Sequence, residues 1–340
     1  MKHKRKIAII LLLITLFCTL FSGCGDLDQN QGQSQGQGHG GQREMLDGFS
    51  VHYLDVGNGD CIFIKLQDGK TILIDCAEPD DKKAQNVIDY VKGYGVNKID
   101  YFIITHPDAD HIGNAVKIIN EFTISRIYLP KLNEWALEYF PTLQQVNQLA
   151  KDKNIEIKRN DNFKSIIGDG YSLIFLTPYP SGLADSSYND LNGALVPDQE
   201  NVNNISPIIY LESNGLRFVF TGDAGSSQEK LALKVLNDPV FKANIKNLGV
   251  SVNLTGVDFL KLGHHGSNSS SCKEFLQALA PKHAVVSVGG DNYYGHPTTE
   301  VLDRLNQANP EYKLFRTDVH GTISVGVVDG QLKIITDKIN

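Results

Sequence analysis

The sequence predicts a mixed α/β (α+β) protein built as a four-layer αββα sandwich. Two observations favour this fold class. Apolar stretches of strand length alternate with helical stretches in both halves of the chain, and strands in each half end in polar loops. With 41% hydrophobic and 21% charged side chains, the 340 residues can also form a sizeable core.

The first half begins with a three-stranded meander and continues as alternating helices and strands. The Gly-Asn-Gly-Asp segment at 57–60 and the Asp-Gly pair at 68–69 supply the turns of the meander. The predicted strands are 51–55, 61–66, 71–74, 101–104 and 124–129, and the helices are about 82–94, a second ending near 120, and a long region ending at 151.

The second half repeats this organisation after a loop at 177–207 that is rich in Pro, Ser, Asn and Asp. Two of its strands lead into the polar segments 221–223 and 263–267, and such strand-to-loop junctions are where rigid scaffolds present functional side chains. The predicted strands are 208–211, 216–220, 257–262, 284–288, 313–316 and 322–327, and the helices are 273–279 and 299–306.

The N-terminus has the features of an export signal. Four basic residues at positions 2 to 6 precede an apolar run, 7–21, which closes on Ser22-Gly23-Cys24. The run is shorter than the roughly 20 residues that a spanning helix needs. The segment resembles a bacterial lipoprotein signal, in which Cys24 is lipidated and becomes the mature N-terminus. A plain secretory peptide and an uncleaved anchor are the alternatives.

All three readings place the folded part outside the cytoplasm. We expect a protein on the outer surface of the cell membrane, attached through a lipid on Cys24, with secretion as the alternative. The predicted organisation is a signal peptide at 1–23, a flexible Gln/Gly/Ser-rich tether at 24–47, and a folded domain at 48–340.

The charge of the chain argues against a broad nucleic-acid-binding face. The sequence has 32 basic and 39 acidic side chains, and removal of the leader with its four basic residues lowers the formal charge from −7 to −11. An acidic surface repels a phosphate backbone, although metal ions in a site would supply local positive charge.

Three cysteines, Cys61, Cys76 and Cys272, remain beyond the leader and Cys24. If Asp68-Gly69 is a two-residue hairpin turn, Cys61 lies directly opposite Cys76 in a hydrogen-bonded pair. A cross-strand disulfide and two packed free thiols are both compatible with this placement.

Four side chains of the ligand type occur within six residues, namely His106, Asp108, Asp110 and His111. Imidazole and carboxylate together hold zinc, manganese or iron. A solvated acidic loop would explain one of the aspartates but not the two flanking histidines. The segment therefore predicts a metal site on a strand-to-helix loop.

Two further ligand candidates follow distant strands, Asp223 after Phe-Val-Phe-Thr-Gly and His264 after Phe-Leu-Lys-Leu-Gly. The ends of these strands can converge on one edge of a sandwich, and a carboxylate can bridge two ions. We therefore expect a centre of two divalent metal ions, zinc or manganese, that lowers the pKa of a bound water.

These segments resemble the metal motifs of the metallo-β-lactamase superfamily. The segments at 54–60, 105–111, 263–267, 292–297 and 316–318, with Asp108 in place of the usual second histidine, are similar to the soluble hydrolase domain of ComEC-type competence proteins. The resemblance covers about 51–327 and implies the metallo-β-lactamase sandwich fold.

The resemblance also implies an assignment of ligands. His106 and Asp108 would bind the first ion, Asp110, His111 and His264 the second, and Asp223 would bridge the two. Many superfamily members supply another first-site histidine, but this sequence has none between His111 and His264. Asn204 and Ser206 lie in the stretch that replaces it in the competence domain.

Further residues are expected around the ligands. Asp75 resembles an acid that orients a ligand histidine, and Asp55 and Asp60 either line the site or serve ordinary turn chemistry. His265 and His296, together with Asp110, are the candidate catalytic residues; each histidine would polarise the scissile group or protonate a leaving oxygen, or else make a structural hydrogen bond.

The resemblance implies an exported metal-dependent hydrolase, foremost a phosphodiesterase or nuclease that uses a metal-bridging hydroxide on DNA or a nucleotide. The acidic surface favours a small substrate or a partner-assisted nuclease over a processive one. Hydrolysis of an ester, thioester or lactam, and a surface binding module without turnover, remain the alternatives.

Overall fold

The structure, a computed structural model, describes residues 44–130, 132, 137–160, 164–177 and 202–338. All of them lie in one structural unit, Arg43–Asn340. The predicted leader, Cys24, nearly all of the predicted tether and most of the loop predicted at 177–207 lie outside the described residues. The predicted domain boundaries therefore stay predictions.

The strands are numbered in chain order. They are β1 (Ser50–Tyr53), β2 (Ile62–Lys65), β3 (Thr71–Ile74), β4 (Lys98–Ile103), β5 (Thr123–Leu129), β6 (Glu156–Arg159), β7 (Ser165–Gly168), β8 (Tyr171–Phe175), β9 (Ile209–Ser213), β10 (Leu216–Phe220), β11 (Phe259–Lys261), β12 (His283–Val286), β13 (Lys313–Arg316), β14 (Ile323–Val328) and β15 (Gln331–Thr336).

A 3₁₀ turn, Gly263–Gly266, follows β11. The α-helices are numbered in chain order like the strands. They are α1 (Asp81–Gly93), α2 (Ala109–Ile112), α3 (Ala115–Glu121), α4 (Pro141–Asp152), α5 (Ser226–Val235), α6 (Pro239–Asn247), α7 (Lys273–Leu279), α8 (Thr299–Ala308) and α9 (Thr317–His320).

The strands form two mixed sheets. The first sheet has the order β15-β14-β1-β2-β3-β4-β5-β6 and the second β13-β12-β11-β10-β9-β8-β7. Strands β3 to β6 are parallel, as are β10 to β13, because helical segments connect most of these strands. The remaining neighbours pair antiparallel.

Three apolar clusters fill the spaces between the layers. The central cluster joins the inner faces of the two sheets and includes Ile64 of β2 and Phe218 of β10. A second packs Phe63 and Phe102 against α1, α3 and α4, and a third packs Val219 against α5, α7 and α8. This helix-sheet-sheet-helix order confirms the predicted four-layer sandwich.

The hairpin of β2 and β3 differs from the prediction by one residue. Ile62 pairs with Ile74, and Lys65 with Thr71, so Cys76 is not directly opposite Cys61. The loop contains three residues rather than two because Gly69 adopts a left-handed conformation (φ 82°) and adds a bulge. Cys61, Cys76 and Cys272 are buried free thiols.

Several elements were absent from the sequence prediction. Hairpin β7-β8 and strand β15, which pairs with the predicted strand β14, were missed, although they turn at Asp169-Gly170 and Asp329-Gly330 and Asp-Gly is a recognisable hairpin signal. Strand β6 and helices α5 and α6 were missed as well. Within the described residues, no helix combines the length and the apolar character that crossing a bilayer requires.

Candidate metal centre

The predicted ligands meet where parallel strands of the two sheets end. Asp75 directly follows β3, and the loop after β4 contains His106. Asp223 and His264 lie in the loops that follow β10 and β11. Because the carboxyl ends of parallel strands lie at the same edge of a sheet, the loops that follow them face one another.

The loop after β4 brings two histidines into contact. The ring centroids of His106 and His111 are 4.1 Å apart, and both side chains are fully buried. Asp108 precedes α2 at its N-cap position, and Asp110 lies in the first turn of this helix. Both carboxylates are partly exposed, so they lie on the open side of the histidine pair.

Asp223 presents its two carboxylate oxygens to different histidines. Its Oδ1 lies 3.2 Å from His111 Nε2 and 3.6 Å from His265 Nε2, and its Oδ2 lies 3.7 Å from His264 Nε2 and 4.0 Å from His106 Nε2. The two oxygens of Asp223 therefore face different pairs of histidines.

Gly222 allows Asp223 to approach this closely. Its φ of +48° lies in the left-handed region, and a Cβ at this position would come within 3.0 Å of Thr105 Cβ. The loop after β10 therefore lies directly against the loop after β4.

The described ligands divide into two groups around Asp223. His106, Asp108 and His264 lie on the side of Oδ2, with His106 Nε2 3.5 Å from Asp108 Oδ2. On the side of Oδ1, His265 Nε2 lies 3.3 Å from Asp110 Oδ2, and His111 Nε2 lies 3.8 Å from the same oxygen.

This grouping differs from the predicted assignment, which placed His264 with Asp110 and His111. His265 occupies that place, and His264 faces the side of His106. The reason is local backbone geometry, since both histidines have positive φ (46° and 55°) in the 3₁₀ turn and their rings diverge by 68°.

The residues present fit a divalent metal centre. Buried atoms that lack a hydrogen-bond partner among the described residues include His106 Nε2, His111 Nε2, His265 Nε2 and Asp223 Oδ1. Leaving such polar atoms unpaired costs about 1–3 kcal/mol each. Among the described residues, three sets of possible ligand atoms converge within 4.8 Å. Two of them, His106 with His111 and Asp223, and Asp110 with His111 and His265, contain these unpaired atoms, and the third is Asp60 with Asp75 and His111. Cations in this space would satisfy all four atoms.

Two carboxylates of the centre, Asp223 and Asp110, have lowered pKa values and are ionised. Burial alone would raise the pKa of Asp223, but the charges of His111 and His265 outweigh burial and keep this pKa well below its usual range. The pKa of Asp110 is lowered by the same two histidines against the effect of burial. Burial disfavours the charged form of His111, yet Asp223 and Asp110 raise its pKa. Metal and protons therefore compete for this site.

Asp75 orients both histidines of the first loop. His111 Nδ1 donates to Asp75 Oδ2 at 2.8 Å, and Thr105 donates to the same carboxylate through its backbone N–H and its hydroxyl. Since the Thr105 hydroxyl proton is used in this way, its oxygen accepts from His106 Nδ1 at 3.0 Å. Each Nε2 is thus left as the metal-facing nitrogen.

The other two ring systems are also held through Nδ1. His265 Nδ1 donates to the backbone oxygen of Ser287 at 2.9 Å, and His264 Nδ1 lies 2.9 Å from Ser269 Oγ. Asn203 Nδ2 approaches the His264 ring at 3.4 Å. The sequence did not predict these three contacts, because Ser287, Ser269 and Asn203 look like ordinary loop residues.

Asn204 and Ser206 lie next to the centre but act on backbone atoms. Ser206 Oγ accepts from the N–H of Asp223 at 3.3 Å, and Asn204 Oδ1 accepts from the N–H of Gly225 at 3.0 Å. The segment that contains Asn204 and Ser206, where many superfamily members have a histidine, therefore supports the backbone of the loop that carries Asp223.

Asp60 lies beside His265, with its Oδ1 3.7 Å from His265 Nδ1 and its Oδ2 2.9 Å from Lys261 Nζ. Lys261 is fully buried in β11 and was not predicted as a site residue. A lysine inside an otherwise apolar buried strand was the available signal, because lysine is almost never fully buried without a partner.

Asp55 does not belong to the centre, contrary to one of the two expectations for it. Its carboxylate pairs with Lys338 Nζ at 3.0 Å, and its backbone N–H donates to Thr322. It lines a separate cavity together with Asn86 and Asp337.

His296 lies at the rim of the centre. Its ring centroid is 5.9 Å from that of His264, and its side chain is half-buried. Burial and the neighbouring His264 and His265 lower the pKa of His296. At neutral pH a neutral imidazole therefore lies at the rim of the site.

Comparisons with known proteins identify the sequence family that this chain resembles. Residues 54–187 match the sequence profile of the metallo-beta-lactamase superfamily. ComE operon protein 3 of Bacillus subtilis (strain 168) is 29% identical over 292 residues, which are 80% of this chain and 32% of that protein. Competence protein ComA of Neisseria gonorrhoeae is 46% identical over 74 residues, 22% of this chain and 10% of the relative.

The chain thus spans a third or less of the length of these curated relatives. Among solved structures, the diiron beta-hydroxylase CmlA from Streptomyces venezuelae superimposes with a TM-score of 0.48 and 13% identity, covering 82% of this chain and 54% of that one.

Proposed function

This chain carries a domain of the metallo-β-lactamase superfamily, as its motifs predicted, and from that premise we propose that it is a metal-dependent phosphodiesterase. The observation that carries the proposal is the position of Asp223 between two histidine groups, with one carboxylate oxygen facing each. Sites with two ions at such a bridge suit the in-line displacement of a phosphodiester.

Each side of the proposed centre has its own ligands. His106, Asp108 and His264 would hold one ion, Asp110, His111 and His265 the other, and Asp223 would bridge them. Two divalent ions, zinc or manganese, would supply Lewis acidity and lower the pKa of a coordinated water. His265 then serves as a ligand rather than as the acid or base expected from the sequence.

The remaining chemistry falls to residues at the open side. His296 offers a neutral N–H at the rim and can donate a hydrogen bond to an oxygen of the scissile phosphate. Asp75 and Thr105 keep both ligand histidines of the first loop in one tautomer, which limits reorganisation when substrate binds.

The experiment is a paired assay on the purified full chain, solubilised in detergent. Bound metal is measured by mass spectrometry, and turnover is measured on bis(p-nitrophenyl) phosphate, single-stranded DNA and a chromogenic lactam, with added manganese or zinc. Asp223→Asn is the test variant, and Asp152→Asn, at the exposed end of α4, is the matched control.

Metal-dependent phosphodiester cleavage that Asp223→Asn abolishes and Asp152→Asn retains would support the proposal. Cleavage of the lactam alone would replace it with another hydrolase of the same fold. Tight metal binding without any turnover would point to an ester or thioester substrate. Absence of bound metal after reconstitution would leave a binding module.

We further propose that the protein is exported and held at the outer face of the membrane by a lipid on Cys24. The support is the basic, apolar and small-residue order of the first 24 residues. Metabolic labelling with an alkyne fatty acid tests this directly. Label on the wild type but not on Cys24→Ala is expected, and unlabelled protein in the medium would indicate plain secretion.

A further inference from the structure

A loop between β12 and α8 carries two exposed tyrosines beside the proposed metal centre. Tyr293 is 89% and Tyr294 77% exposed, the highest values among the exposed large hydrophobic side chains of the described residues. Two adjacent aromatic rings that face solvent are a common mark of a binding surface.

Tyr294 is connected to the centre through contacts between aromatic rings. The ring of Tyr294 stacks on that of His296, with centroids 5.7 Å apart and planes inclined by 22°. His296 is 5.9 Å from His264, whose Nε2 lies 3.7 Å from Asp223. Tyr294 therefore extends the rim of the site outward from His296, and the exposed Tyr293 is its neighbour in the chain.

Hydrogen bonds hold the base of this loop. The side chain of Asn292 accepts from the N–H of His296 at 3.1 Å and donates to the backbone oxygen of the same residue. Gly295, with φ 67°, closes a turn by donating to the oxygen of Asn292 at 3.2 Å. A held loop presents its rings at low entropic cost to a ligand.

Asn58 ties the beginning of the loop to the glycine segment of the first half. Its Oδ1 accepts from the N–H of Gly289 at 2.9 Å, and its Nδ2 donates to Asp291 at 3.3 Å. The segment around Asn58 also contacts Asp110, because Asp60 N–H donates to the Asp110 oxygen. The aromatic loop and the ligand loop thus share one support.

The charge of the protein restricts the kind of ligand that these rings suit. The whole chain has a formal charge of −7, and the loop itself contributes Asp291 and no lysine or arginine between 287 and 298. Neutralisation of a phosphate backbone therefore supplies little binding energy here. Stacking on an aromatic ring needs no basic residue and accepts any base.

We propose that Tyr293 and Tyr294 form a nucleobase-binding subsite next to the metal centre. This inference rests on the proposed phosphodiesterase function and names its substrate class as nucleotidyl phosphodiesters with an unpaired base, as in single-stranded DNA. A base stacked on the tyrosines would place its own phosphate towards His296 and Asp223. Duplex DNA, whose bases are already stacked, would be a poor ligand.

The test measures binding of two labelled oligonucleotides to the full chain by fluorescence anisotropy in the presence of calcium. One is oligothymidylate, and the other has the same backbone with abasic tetrahydrofuran residues. The variants are Tyr293→Ala/Tyr294→Ala and the matching double substitution to Phe, which retains the rings. Tyr139→Ala, at another exposed tyrosine, is the control.

Stacking of one base on an aromatic ring is worth about 1–3 kcal/mol, which corresponds to roughly a 5- to 150-fold change in Kd. We expect the double Ala variant to weaken oligothymidylate binding at least about ten-fold, and the Phe variant and Tyr139→Ala to bind as the wild type does. Binding of the abasic oligonucleotide should change less than about two-fold.

Three results would overturn the inference. They are equal binding of both oligonucleotides by the wild type, equal loss of both in the Ala variant, and an Ala variant that binds oligothymidylate normally. The last would leave a protein or lipid partner for the tyrosines. Hydrolysis of bis(p-nitrophenyl) phosphate by the wild type is measured in parallel, so that failure of the proposed activity is distinguished from failure of base binding.

Discussion

Lys261 Nζ lies 2.9 Å from Asp60 Oδ2, and both side chains are buried next to His265. Lys261 also donates to the backbone oxygen of Leu262 at 2.9 Å. The backbone of Asp60 bonds to Asp110 on one side and to Ala77 on the other. This ion pair therefore joins the glycine loop and β11 to the loops that carry the proposed ligands.

Removal of the lysine alone should destabilise the fold. Lys261→Met leaves the Asp60 carboxylate buried without its partner, and we expect the free energy of unfolding to fall by about 3–5 kcal/mol. Lys261→Met/Asp60→Asn removes both charges and should recover most of this loss. Urea denaturation measures the stability of both variants. The control is Lys158→Met, which breaks an exposed ion pair with Glu156 and should change the free energy of unfolding by less than about 1 kcal/mol. A double variant less stable than the single one would refute the pairing.

Metal content should distinguish the bridging carboxylate from the others. Asp223→Asn removes a ligand of both ions, and we expect less than one ion per chain after reconstitution and desalting. Asp110→Asn affects one side only and should retain about one ion. Mass spectrometry of the desalted proteins gives the ratio. Equal metal content in these two variants would exclude the bridging role.

The grouping of His264 and His265 can be tested by combining substitutions. His265→Ala and Asp110→Asn remove ligands of the same proposed ion, so their double variant should hold about as much metal as either single variant. His264→Ala with Asp110→Asn affects both ions and should hold almost none. If the double variant with His264→Ala holds as much metal as its single variants and the one with His265→Ala holds almost none, His264 and Asp110 bind the same ion, as first expected from the sequence.

Asp75 should control metal affinity without contacting the metal. In Asp75→Asn the amide cannot accept hydrogen bonds as the carboxylate does from both His111 and Thr105. Loss of such a supporting residue typically costs 10–100-fold in metal affinity. Competition with a chelator measures the change. An affinity within two-fold of the wild type, with unchanged stability, would show that the tautomers are set elsewhere.

Glu229 should make stability depend on pH. Its buried carboxylate accepts from the N–H groups of Ser271 and Cys272 at 2.6 and 2.7 Å, and burial raises its pKa to about 7. The folded state then binds more protons than the unfolded state between the unfolded pKa, near 4.5, and about 7, so this group's contribution to stability is lost as pH rises through that window.

The loss over this window is roughly 3 kcal/mol. Urea denaturation at pH 5 to 8 should therefore show a decline in the wild type that is largely absent from Glu229→Gln, with Glu300→Gln, at the exposed start of α8, as the control. A Glu229→Gln variant with the same pH dependence as the wild type would assign the decline to other groups.

Much of the fold and the approximate place of the site followed from local patterns. Apolar stretches predicted β3 and α7 with their observed bounds, because the buried apolar residues of these elements leave a direct trace in the sequence. The four ligand-type side chains between His106 and His111 also predicted that their loop belongs to the site. Edge strands such as β6 and β15 left weaker traces, because they are only partly buried and need few apolar residues.

The sequence by itself determined the layered fold, the residue types of a divalent metal centre, and the strands whose ends carry them. Only the tertiary structure decided that His265 rather than His264 faces Asp110, that Asp55 pairs with Lys338 away from the centre, and that Lys261 supports Asp60. The physical reason is that periodicity and residue chemistry are local properties. The direction of a side chain in a left-handed turn, and its partner across two sheets, depend on packing between segments far apart in the chain.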